Sequence, residues 1–119
     1  MNETPLRQRL REALPAAMKS RDRAAVSALR ATLSAIDNAE AVAVDDGVRQ
    51  GLAIEQTPIG AGAAEAERRV LSEADVERIV RAEMAEREAA AVEYERAGHT
   101  DRAAQLRAEA RALAASAMG

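Results

Sequence analysis

A chain of 119 residues supports one small domain and is too short for two with separate cores. Its 31 alanines make it all-α in expectation, and a single aromatic residue, Tyr94, among 26 larger apolar side chains leaves only a thin interface between helices. With no cysteine there is neither a disulfide frame nor a thiolate site, and the net charge of −3 says less than its distribution along the chain.

The first predicted helix spans about 5–19, with Thr4 as N-cap and Pro5 at the first helical position, where its missing N–H costs nothing. Leu6, Leu10, Leu14 and Met18 follow at strict four-residue spacing as one apolar stripe, and Pro15 predicts a kink near Glu12. Lys19 to Asp22 is a short corner, where Ser20 or Asp22 can cap the next helix. The second helix, about 23–43, carries the seam Val26, Leu29, Leu33 and Ile36, flanked by a polar stripe of Ser27, Arg30, Ser34 and Asn38 that reads as a solvated face. From 44 to 70 the periodicity fails, Asp46-Gly47 is a turn signal, and a disordered or irregular linker is expected.

Ser72 and Asp75 form an approximate capping box that opens a third helix over about 73–97. Val76, Val80, Met84, Ala91 and Tyr94 form its inner face, and Glu77/Arg81 and Glu83/Arg87 are i,i+4 pairs. Gly98 ends it, and Thr100 with Asp101 opens the last helix, about 101–117, so the two make a tight antiparallel hairpin. The whole, 1–119, is read as a small bundle of about four helices in two hairpins.

The N-terminal stretch MNETPLRQRLRE has no apolar core of a secretory signal, and no apolar run approaches a membrane span. A cytoplasmic protein with no membrane role is expected. No catalytic, cofactor or metal site is predicted: His99 is the lone histidine, beside a helix cap, and "DDGVRQG" lacks the Walker lysine and the EF-hand ligand spacing. Residues 1–35 carry seven cations against three anions, and 36–119 carry ten against seventeen. The split can be internal, a basic hairpin docking on an acidic one, or external, a basic end meeting phosphates. Taken alone it favours the internal reading, because RNA binders usually add stacking aromatics. The thin core also leaves room for self-association into a homo-oligomer.

The segment AAMKSRDRAAVSALRATLSAIDNAE, followed later by REAAAVEYERAGHTDRAAQLRAEA, resembles the GatB/YqeY family. The matching positions are Met18, Lys19, Asp22, Leu29, Arg30, Ala35, Ile36, Asn38, Arg87, Tyr94, Glu95, Ala97, Gly98, Asp101 and Glu109. They correspond to the family's amino-terminal helical subdomain. Members continue into a leucine-proline segment and a three-helix bundle where this chain ends at LAASAMG, and they often have arginine where His99 stands. The family is related to the tail of the B subunit of the aspartyl/glutamyl-tRNA amidotransferase, which engages tRNA. The resemblance implies a non-catalytic accessory role with tRNA or an amidotransferase or synthetase component as partner. Any glutamine-dependent carbon–nitrogen ligase activity comes by family association only. On that reading Lys19, Arg21, Arg23 and Arg30 contact backbone phosphates, with Arg87 as a further candidate. The alternative is a helical protein-interaction or self-assembling module with no nucleic-acid role.

Overall fold

The computed structural model describes residues 4–55 and 71–118, with the helix backbone alone over 48–55. Four helices make up the described residues, with no strand: α1 (Leu6–Ser20), α2 (Arg23–Glu55), α3 (Glu73–Arg96) and α4 (Thr100–Met118). The protein is a small all-α bundle. α3 and α4 form the most extensive pair, and α2 packs on both α1 and α4.

The main core draws on all four helices. Leu6 and Leu10 of α1, Leu29 and Ile36 of α2, Val76 and Val80 of α3 and Leu113 of α4 meet there, with alanines letting the helices approach. The seam of α2 turns slightly from the predicted one. Leu29 and Ile36 are buried while Val26 and Leu33 are only partly so, because Ala25, Ala28 and Thr32 share the inward face. Thr32 is fully buried, and its Oγ1 has no hydrogen-bond partner among the described residues. An unpaired buried hydroxyl costs about 1–3 kcal/mol. A second cluster, Ala91, Ala103 and Leu106, belongs to α3 and α4 alone.

Several expectations are corrected. Pro5, not Thr4, is the N-cap of α1, and its side chain makes no cap. The opening turn is instead closed from elsewhere: the Leu6 N–H donates to a Glu73 carboxylate oxygen at 2.8 Å, across a sequence separation of 67. That carboxylate sits where the positive end of α1 favours it. α1 does span Pro15, as predicted, and ends at Ser20, one residue past its predicted end. α2 does not stop near 43 but runs to Glu55, so residues 44–55 of the expected linker are helical. A glycine costs about 1 kcal/mol in a helix interior, whereas an already nucleated helix gains one hydrogen bond per residue added, so Asp46-Gly47 does not end it. Residues 56–70 of that linker lie outside the described residues.

Tyr94, expected on the inner face of α3, is about 40% exposed. It lies near the tip of the α3/α4 hairpin, where the packing cluster contains no residue of α1 or α2 to cover it.

Candidate nucleic-acid interface

The corner between α1 and α2 is built by local hydrogen bonding. The Asp22 N–H donates to the Ala17 carbonyl at 3.0 Å and the Arg21 N–H to the Met18 carbonyl at 3.2 Å, the paired bonds of a Schellman ending. Arg21 takes the left-handed position this ending requires, at φ 60° and ψ 35°. Asp22 then caps α2, its Oδ1 accepting the Ala25 N–H at 3.1 Å. Of the two predicted caps it is Asp22 that serves, while the Ser20 Oγ donates back to the Ala17 carbonyl.

This corner sets four of the five predicted phosphate-binding residues on the surface. Lys19, Arg21, Arg23 and Arg30 are exposed, and none is held in an ion pair among the described residues. Arg21, Arg23 and Arg30 line one open groove with Met18, Val26 and Ser27, and Lys19 lies beside it in the last turn of α1. Lys19 also complements the negative end of α1.

Arg87 is not among them. It lies between α3 and α4 with its side chain only 11% exposed, and it is bound on two sides. Its Nε donates to Glu109 Oε1 at 2.9 Å, and its Nη1 to Glu83 Oε1 at 2.9 Å and to the Glu83 carbonyl at 3.0 Å. Glu109 is itself buried and takes a further bond from Gln105 at 3.2 Å. Burial opposes the guanidinium charge, but the two carboxylates outweigh it and hold its pKa above the ordinary arginine value.

Other arginines are similarly engaged. Arg7 bridges α1 to α2, donating to Asp37 at 2.7 Å and to Glu40 at 3.0 Å. Arg9 donates to the Ala117 carbonyl near the end of α4. On α3 and α4, Arg78 pairs with Asp75, Arg81 with Glu77, Arg96 with Glu93 and Arg107 with Glu95. Arg7 thus pairs with carboxylates of its own hairpin, no ion pair among the described residues joins the α1/α2 hairpin to the α3/α4 one, and the corner cations face outward.

Met18 is the member of this site that sequence reading put elsewhere. A residue every fourth position turns about 40° further round the helix, so a stripe begun at Leu6 has swung about 120° by Met18. Ala17 takes the inward position and Met18 emerges at 49% exposure. Counting that drift along the leucine stripe is the signal that finds it. The Arg30 Nη2 lies 3.8 Å from the Met18 Sδ.

At the other end, His99 stands edge-on to Tyr94 with ring centroids 6.0 Å apart, and Arg102 lies 5.9 Å from the Tyr94 centroid. No group of metal-ligating side chains occurs among the described residues, and no described helix is long and apolar enough to cross a membrane. The groove at the corner offers three arginines, the Ser27 hydroxyl and the apolar side chains of Met18 and Val26. No protein-family model, curated protein or solved structure matches the chain.

Proposed function

We propose that this chain is a non-catalytic, cytoplasmic accessory module of the GatB/YqeY type that holds tRNA by its backbone phosphates at the α1/α2 corner. What supports the reading is the contrast in arginine use. Lys19, Arg21, Arg23 and Arg30 stand exposed without ion pairs, three of them in one groove, while Arg7, Arg78, Arg81, Arg87, Arg96 and Arg107 are each bound to carboxylates and the exposed, unpaired Arg11, Arg102 and Arg111 lie outside that groove. Exposed cations at a helix corner, free of carboxylate partners, match the requirement of a phosphate-binding surface. The amidotransferase or ligase chemistry of such a system belongs to a partner.

A gel-shift titration with total tRNA tests it. Four phosphate contacts predict a slope of log affinity against log salt of about −3 to −4. Absence of retardation at low salt would end the proposal.

The second reading is a helical interaction module. It is favoured by the open groove between α3 and α4, where Met84 and Val92 lie against Ala110 and Ala114. Light scattering across a concentration range reads its self-assembling form.

A further inference from the structure

We infer that the α1/α2 corner takes an unpaired nucleotide, the base lying against Met18 and Arg30 and the phosphate held by Arg21 and Arg23; this rests on the tRNA reading and narrows it to single-stranded segments. Contact with a duplex backbone asks only for cations. The groove offers more. Its floor is apolar, formed by the half-exposed Met18 thioether and by Val26, and its rim is cationic. A phosphate gains nothing from that floor, whereas an unstacked base presents an apolar π-face with an anionic group attached.

Arg30 and Met18 make the floor specific. They come from different helices, 12 residues apart, and the Arg30 Nη2 rests 3.8 Å from the Met18 sulfur. The contact steers the guanidinium toward the thioether, and both groups are good neighbours for an aromatic ring. A guanidinium plane stacks on bases much as an aromatic side chain does, which answers the lack of any aromatic residue in this groove. Ser27 on the same rim supplies a hydroxyl able to donate to or accept from a base edge. The groove, about 710 Å³, is shallow and open to solvent.

Arg21 carries the second, independent observation. It occupies a left-handed backbone position, φ 60°, that glycine fills without strain, and its side chain is exposed rather than packed. Nothing in the folding of the corner asks for arginine there. Its placement directs one more guanidinium to the groove.

The test is fluorescence anisotropy with the full chain and three polyanions of equal charge: a short labelled oligoadenylate, a blunt RNA hairpin whose strands are joined by a non-nucleotide linker so that no base is unpaired, and polyglutamate. Oligoadenylate should bind about tenfold tighter than the hairpin at the same low salt, since one base stacked on such a platform contributes about that factor. Met18→Ser should remove that advantage and leave hairpin binding within twofold, with an unchanged urea midpoint showing that the exposed substitution has not disturbed the fold. Arg21→Ala with Arg23→Ala should weaken both RNAs. Equal binding of the two RNAs, or equal loss of both in Met18→Ser, would overturn the single-strand assignment and leave the tRNA reading standing. Polyglutamate binding as tightly as oligoadenylate would overturn it as a mere polyanion patch. Failure of both RNAs to bind at low salt would remove the tRNA reading and this inference together.

Discussion

At the α1/α2 corner the Asp22 N–H reaches the Ala17 carbonyl at 3.0 Å; at the α3/α4 turn the His99 N–H reaches the Tyr94 carbonyl at 2.8 Å. Each is the long bond of a Schellman ending, and each is joined by the shorter one, Arg21 to Met18 and Gly98 to Glu95. The residue in the left-handed position differs. Gly98 holds φ +87° without strain, and Arg21 holds φ 60° with a side chain attached. The surroundings differ in the same sense. Behind Gly98 the hairpin pairs several of its own charges, through Arg87 between Glu83 and Glu109 and through Arg107 with Glu95. Around Arg21 the cations have no such partners. One end pairs most of its arginines within the fold, and the other leaves its cations exposed, as the proposed phosphate contact needs.

The largest expected effect tests the stable end. Arg87→Leu leaves the buried Glu109 carboxylate without its main partner, and breaking a buried pair in this way costs about 3–5 kcal/mol. Urea unfolding followed by circular dichroism should show a loss of that size, and Arg87→Leu with Glu109→Leu should restore most of it. A loss below about 1 kcal/mol would put this pair with ordinary surface ion pairs and erase half of the contrast.

The two left-handed positions should respond in opposite directions. A Cβ on Gly98 would meet nothing within 4 Å, so Gly98→Ala isolates the backbone cost, about 1–2 kcal/mol lost at the urea midpoint. Arg21→Gly should gain up to about 1 kcal/mol by relieving the same strain. RNA affinity should fall in Arg21→Gly and stay level in Gly98→Ala. If Arg21→Gly leaves affinity unchanged, the arginine has no role that sets it apart from its glycine counterpart.

The features legible in the sequence are those whose cause is local. The capping box is one: the Ser72 Oγ accepts the Asp75 N–H and the Asp75 carboxylate accepts the Ser72 N–H, each at 3.0 Å, as the spacing predicts. Gly98 as a helix stop is another, and the cap of α2 is narrowed to Ser20 or Asp22, of which Asp22 serves. What escapes is set by distant partners. No local pattern announces that Glu73 closes the first turn of α1. Glu83/Arg87 has the spacing of a surface pair, and only the docking of α4 brings Glu109 to it and takes the guanidinium from the candidate site. Tyr94 keeps its helical register, but the cluster at that level of the hairpin has no third helix to bury it. Asp46-Gly47 has turn chemistry, yet α2 continues through it.

Acid should bring out the same contrast more gently. Three carboxyls are held below their ordinary range: Glu40 by the hydrogen bond from Arg7, Asp75 by the Ser72 backbone amide and then by Arg78, and Glu95 by the hydrogen bond from Arg107. They clasp α1 to α2, open α3 and tie α3 to α4; the α1/α2 corner holds none of them. A folded pKa below the unfolded one means that, as pH falls, the unfolded chain takes up these protons first. Their contribution is therefore complete above the ordinary carboxylate range and is lost as pH drops through the folded values. The melting temperature should stay level from pH 7 to pH 5 and decline below about pH 4. Because these groups are open to solvent to differing degrees, 1 M salt should flatten the decline. Asp75→Asn should remove part of it, since the amide oxygen can still accept the Ser72 N–H but does not titrate. A decline that begins well above pH 5 would mean that groups other than these three carboxylates govern the acid limit, and it would detach acid stability from the charge pairing that separates the hairpin from the corner.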